Sequence, residues 1–103
     1  MGTDFRAAIS EILEQRTGEY TKISDTIWEY AEPRFQERDS SRIQQEYLMS
    51  RGFSIKVGLA GEDTAFIAEY GSGKPVLAFL GEFDALSSLQ QEADQVTRCP
   101  IEG

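Results

Sequence analysis

Apolar residues recur at intervals of three and four along the first thirty positions, at Phe5, Ile9, Ile12, Tyr20, Ile23, Ile27 and Tyr30, with Arg16 completing the stripe between Ile12 and Tyr20. That period predicts one amphipathic helix of about seven turns, over residues 4–31. Thr3 or Asp4 can cap its start, and Glu32-Pro33 ends it, because the residue before a proline is pushed out of the helical region. Gly18 lies inside the pattern and makes a bend near Thr17-Gly18 an expected feature, since glycine costs about 1 kcal/mol relative to alanine in a helix. Trp28, beside the apolar stripe, reads as a core residue rather than a ligand platform.

A charged connection over residues 34–39 follows, whose acids, like Glu32 before them, read as solvent-facing rather than metal-binding: Glu37 and Asp39 have no histidine or cysteine near them. Asp39-Ser40-Ser41 then offers a helix start, and Ser41 with Gln44 three residues on has the spacing of a capping box. Ile43, Tyr47 and Leu48 form the apolar stripe of a second helix over residues 40–51, with Gly52 available for a left-handed cap. From Phe53 the period changes to two. Phe53, Ile55, Val57 and Leu59 alternate with polar or small residues and predict a half-buried strand over 53–59. A turn at Ala60-Gly61-Glu62-Asp63 leads to a second strand over 64–70, with Phe66, Ala68 and Tyr70 on one face and Ala65 and Ile67 on the other. Gly71-Ser72-Gly73-Lys74 reads as another turn and not as a phosphate loop, because Pro75 and an apolar run follow it where a helix would be needed.

The next stretch organises the rest. Val76-Leu77-Ala78-Phe79-Leu80 is uncharged and mostly large, so it predicts a strand over residues 75–82 that is buried on both faces. Glu82 and Asp84 follow at its end, two apart, and in extended backbone they would point to the same side, at the sheet edge where open α/β sheets bind ligands. Beyond Leu86 the chain is a polar tail, 87–103, in which Leu86, Leu89, Ala93 and Val96 permit only a weak helix. The fold class is α/β: a single partial domain of two N-terminal helices packed on a three-stranded sheet. A strand apolar on both faces needs cover on both, and two helices cover one face, so the expected partner is a missing remainder of the domain or a second copy of the chain as a dimer.

Composition narrows the function. Eighteen acidic against ten basic residues give a net charge of −8 in a chain of 103 residues. That charge repels phosphate backbones and anionic membranes over about 8 Å in physiological salt, so neither nucleic acid nor a membrane surface is an expected partner. The longest apolar run falls far short of the ~20 residues a spanning helix needs, and the N-terminus lacks a basic-then-apolar leader. The single cysteine, Cys99, cannot form an internal bridge; it reads as an incidental thiol and suits a cytoplasmic location.

Gly81-Glu82-Phe83-Asp84-Ala85-Leu86, preceded by Gly73-Lys74-Pro75 and the apolar run, resembles the N-terminal catalytic-domain segment of the zinc metallopeptidase and amidohydrolase family that includes aminoacylases, carboxypeptidase G and the p-aminobenzoyl-glutamate hydrolases. The resemblance extends through Ile27-Trp28-Glu29-Tyr30-Ala31-Glu32-Pro33, Leu48-Met49-Ser50-Arg51-Gly52-Phe53 and Gly61-Glu62-Asp63-Thr64-Ala65-Phe66-Ile67-Ala68, and is nearest in wording to the p-aminobenzoyl-glutamate branch. It implies a partial zinc-peptidase-like catalytic domain from a hydrolase of N-acyl or aryl-amide bonds, with zinc or manganese in the full-length parent. It also implies that Asp84 orients a metal ligand, while Glu82 has no assigned role. The family's metal ligands include histidines and a Gly-His-x-Cys-Gly-His segment, and a later Glu-Glu pair supplies its general base. This chain has no histidine and none of those segments, so it is expected to bind no metal and to be silent alone.

Two other readings compete. One is a non-catalytic, acidic interaction or self-association module that keeps part of that fold. The other makes Glu82 and Asp84 a glycosidase acid/base pair, since same-side carboxylates two apart on a strand lie about 7 Å apart, close to an inverting enzyme's separation. No saccharide-binding aromatic arrangement accompanies them, and this reading is the weakest.

Overall fold

A computed structural model describes residues 4–102. The periodic segments become α1 (Phe5–Tyr30) and α2 (Arg38–Ser50), followed by β1 (Ser54–Val57), a 3-10 turn at Leu59–Gly61 and β2 (Phe66–Glu69). Asp4 caps α1, its side chain accepting from the N–H groups of Arg6 and Ala7 at 3.1 and 3.2 Å; the alternative cap, Thr3, lies outside the described residues. The helix runs unbroken through Gly18 and stops at Ala31, which takes a left-handed conformation (φ 46°) and donates to the Ile27 carbonyl. Glu32-Pro33 therefore lies just past the end, close to where the sequence placed it.

The second helix begins two residues earlier than expected, and the capping box does not form. Ser41 Oγ instead donates to the Thr64 carbonyl at 2.8 Å and the Gln44 amide donates to the Ser40 carbonyl. Its other end behaves as the pattern predicts. Gly52 is left-handed at φ 92°, with the Gly52 N–H donating to the Met49 carbonyl and the Phe53 N–H to the Leu48 carbonyl, the paired bonds of a Schellman motif.

β1 and β2 form an antiparallel pair in the register Ser54↔Glu69, Ile55↔Ala68, Lys56↔Ile67 and Val57↔Phe66. Both are shorter than the runs 53–59 and 64–70 that alternation predicts. The sheet has two strands, not three: among the described residues no strand forms over 75–82. No helix forms over Leu86 to Val96 either; an isolated bridge between Gln91 and Pro100 ties that tail to itself. The Lys74–Pro75 peptide bond is cis.

Layering follows from α2, which packs against α1 on one side and both strands on the other. A clamp of side chains holds the helices together: Arg51 reaches both oxygens of Glu19 at 2.7 Å, the Tyr47 hydroxyl donates to Glu19 at 2.7 Å, and Tyr20 meets Tyr47 edge-on. Hydrogen bonding from Tyr47, with Arg51 adding to it, holds the Glu19 carboxyl below the usual carboxylate range.

The expected apolar core is not closed. No apolar side chain among the described residues is fully buried, and Trp28, read as core, is half exposed. The apolar run is bare: Val76 is 83%, Phe79 93% and Leu80 102% exposed. The radius of gyration, 16.7 Å, exceeds the ~13 Å of a compact chain of this length. An apolar strand needs a neighbour for its backbone and cover for its faces, and the described residues supply neither.

Gly52→Ala tests the helix end. An alanine there must hold φ 92° with its Cβ about 3.4 Å from the Tyr70 ring, and a lower urea midpoint worth about 1 kcal/mol is the expected outcome.

Candidate functional site

The chemistry-bearing segment is anchored by a turn whose acids, from the sequence, read as solvent-facing. Between the two helices, Ala31 and Phe35 are both left-handed (φ 46° and 65°) although neither is glycine. Such residues cost of order 1–3 kcal/mol each and persist where surroundings over-determine them. Here the surroundings are two carboxylates. Glu32 turns back on the start of α2, its two oxygens accepting from the Asp39 N–H at 3.1 Å and the Ser40 N–H at 2.7 Å. These are N–H groups of the first turn, which have no partner inside the helix. Glu32 thereby acts as a capping side chain from outside the helix, with its negative charge at the positive end of the helix dipole.

Glu37, the residue at the cap position itself, makes no capping bond. Its carboxylate accepts from the Phe35 N–H at 2.7 Å and from the Thr64 hydroxyl at 2.8 Å. With Ser41 bonded to the Thr64 carbonyl and Gln45 donating to Ser41, a polar web joins the inter-helix turn, α2 and the approach to β2. Glu37, Ser40, Ser41 and Thr64 are the buried polar residues of the described chain. Reading Glu37 as a solvated acid is thus overturned, while Glu32 is only half-buried. A buried polar group needs partners, and the Glu37 carboxylate finds one two residues away in the Phe35 N–H and one 27 positions on in the Thr64 hydroxyl.

The same turn fixes the predicted site. The Glu32 carbonyl accepts from the Ala85 N–H at 2.8 Å, and Pro33 and Ala85 pair as an isolated parallel bridge. Asp84 is therefore held beside the end of α1. It lines an open groove of about 680 Å³ between the C-terminal half of α1 and residues 83–91, with Ile27, Trp28, Pro33 and Leu86 as its apolar wall. On the other side the Phe83 ring meets Phe66 of β2, centroids 6.3 Å apart.

Asp84 has no hydrogen-bond or ion-pair partner among the described residues. Glu82 is exposed and does not line the groove. Asp84 lines the groove and Glu82 does not, so the groove does not bring the two carboxylates together as an acid/base pair. Nor does a ligand set assemble: among the described residues no three of His, Cys, Asp and Glu converge on a point that could hold a metal ion. The residues present do not fit zinc or manganese. Cys99 lies within 3.5 Å of Glu92 in the tail and does not line Asp84's groove. No helix among the described residues is long and apolar enough to cross a membrane.

With this geometry in view, the chain can be set beside known proteins. No family model matches it. No solved structure matches it significantly. Over 85 residues it is 42% identical to one of the p-aminobenzoyl-glutamate hydrolase subunits of Escherichia coli strain K12, a match that covers 82% of this chain and 18% of that protein. The chain spans less than a fifth of that relative's length.

Hydrogen bonding gives the Glu32 turn a pH signature. Burial alone would raise the Glu32 carboxyl, but hydrogen bonds from Ser40 and from the main-chain N–H of Asp39 outweigh it, so its pKa lies below the ordinary value. A carboxylate with a depressed folded pKa contributes stability that is fully present above the unfolded value and lost as pH falls through the folded one. The urea midpoint should accordingly fall below about pH 4.5. Glu32→Gln should flatten part of that fall, and Glu32→Ala should cost about 1 kcal/mol at neutral pH. Thr64→Val, which leaves one buried Glu37 oxygen without its donor, should lower stability by about 1–3 kcal/mol in the same measurement.

Proposed function

We propose that this chain carries the N-terminal portion of a metal-dependent amidohydrolase whose complete form cleaves N-acyl or aryl-amide bonds of amino acids, p-aminobenzoyl-glutamate among them. The observation that carries this reading is the 42% identity over 85 residues to a p-aminobenzoyl-glutamate hydrolase subunit. The position of Asp84 supports it. Its backbone is pinned through Ala85 to the Glu32 turn, while its carboxylate is left without a partner at the lip of a groove, as an acid awaiting a group from elsewhere would be.

Asp84 is assigned a positioning role: it accepts a hydrogen bond from a metal ligand that lies in the rest of the complete hydrolase and so fixes that ligand's orientation. Zinc or manganese is assigned to that larger protein, and the residues of this chain hold neither. Glu82 receives no role. Alone, the chain is catalytically silent, because ligand set and general base both lie outside it. An interaction module remains the second reading, favoured by the bare apolar run at Val76–Leu80.

Grafting this chain's matching segment into the p-aminobenzoyl-glutamate hydrolase tests the proposal. The graft should retain p-aminobenzoyl-glutamate hydrolysis, and Asp84→Ala within it should lower metal affinity or kcat by about 10–100-fold. The isolated chain, supplied with zinc or manganese and the same substrate, should give no turnover above background. Activity of the graft unaffected by Asp84→Ala would refute the assigned role, and turnover by the isolated chain would refute the assignment of the ligands elsewhere.

A further inference from the structure

The apolar run that the fold leaves bare has a symmetry the rest of the chain lacks. Residues 72–84 form no main-chain hydrogen bond with other main-chain groups of the described chain, so the N–H and C=O groups of Val76–Leu80 are unpaired while their side chains are exposed. Unpaired apolar backbone of this kind is a template for strand addition. We infer that its occupant is a second copy of the same segment, paired antiparallel about a two-fold axis through Ala78.

Three features of the sequence favour a copy of itself. Antiparallel pairing centred on Ala78 places Val76 opposite Leu80 and Leu77 opposite Phe79 of the partner, so every cross-strand pair inside the run is apolar and no charge is forced into the contact. Lys74 and Glu82 lie equally far from Ala78 on either side. Each copy's lysine therefore falls at the end of the ladder where the other's glutamate lies, twice over, and in a chain with net charge −8 this local complementarity offsets a general repulsion between copies. A ladder bonded at Ala78, Val76 and Leu80 turns the N–H of the odd-numbered positions to the outer edge. Pro75 has no N–H to offer there, which blunts that edge against a third strand. The contact is isologous and closes at two copies.

Sedimentation equilibrium of the full chain reads this directly and needs no substrate, so its outcome is independent of the hydrolase assignment. A monomer–dimer equilibrium in the micromolar to low-millimolar range is expected. Ala78→Pro removes the central donor at a residue that makes no hydrogen bond in the folded chain; it should leave the helical circular dichroism unchanged and give a monomer throughout. Lys74→Glu should raise the dimer dissociation constant about five-fold, and adding Glu82→Lys should restore it. A chain that is monomeric at every concentration would overturn the inference, as would assembly beyond two copies or a dimer indifferent to both changes. If the monomer instead binds a hydrolase lacking its matching segment, the run belongs to that partner and self-pairing is refuted.

Discussion

A carboxylate placed at the start of a helix it does not belong to is the contact on which the remaining arrangement hangs. Glu32 satisfies the first-turn N–H groups of α2 with its side chain and the Ala85 N–H with its own carbonyl. One residue thereby fixes the angle at which α1 hands over to α2 and the place where the chain returns after the sheet. Apolar burial does not do this, since no apolar side chain among the described residues is closed off from water. Polar bonds with defined direction set the geometry instead, and apolar surface is left over.

That division explains the asymmetry of the molecule. The half organised by α2 is well tied: Glu19, Tyr47 and Arg51 clamp the helices, and Glu37, Thr64 and Ser41 stitch the turn to the strands. The last third, from Gly71 onward, touches the rest at few points, chiefly Ala85 on Glu32 and Phe83 on Phe66. Between those anchors and β2 lies the apolar run, whose backbone and faces both lack company. Asp84 shares that condition, as a pinned acid whose carboxylate has no hydrogen-bond or ion-pair partner among the described residues. Both leave apolar and acidic surface that the described residues do not pair.

Much of the local structure could be read in advance. The three-to-four spacing from Phe5 to Tyr30 marked α1 to within a residue at each end, Gly52 marked the close of α2, and alternation found both strands. The misses share a cause. Ser41 and Gln44 have capping-box spacing, yet Ser41 is drawn off by the Thr64 carbonyl, a bond across 23 positions that no local rule contains. Glu32 and Glu37 read as solvated because no oppositely charged side chain in the sequence is set to pair with them, and their partners are main-chain N–H groups and a hydroxyl. The one local hint was their placement on either side of a short turn leading into a helix.

For this protein the sequence by itself determined what depends on near neighbours: helix and strand periods, turn chemistry, an acidic surface, and the short pieces whose order resembles an amidohydrolase. Only the tertiary structure decided whether Val76–Leu80 would be a strand and where Asp84 would lie. A strand exists through hydrogen bonds to another strand, and a carboxylate's role through what stands opposite it. Neither is a property of the residues alone, so an apolar run with no partner within reach stays unpaired however strongly its composition favours a sheet.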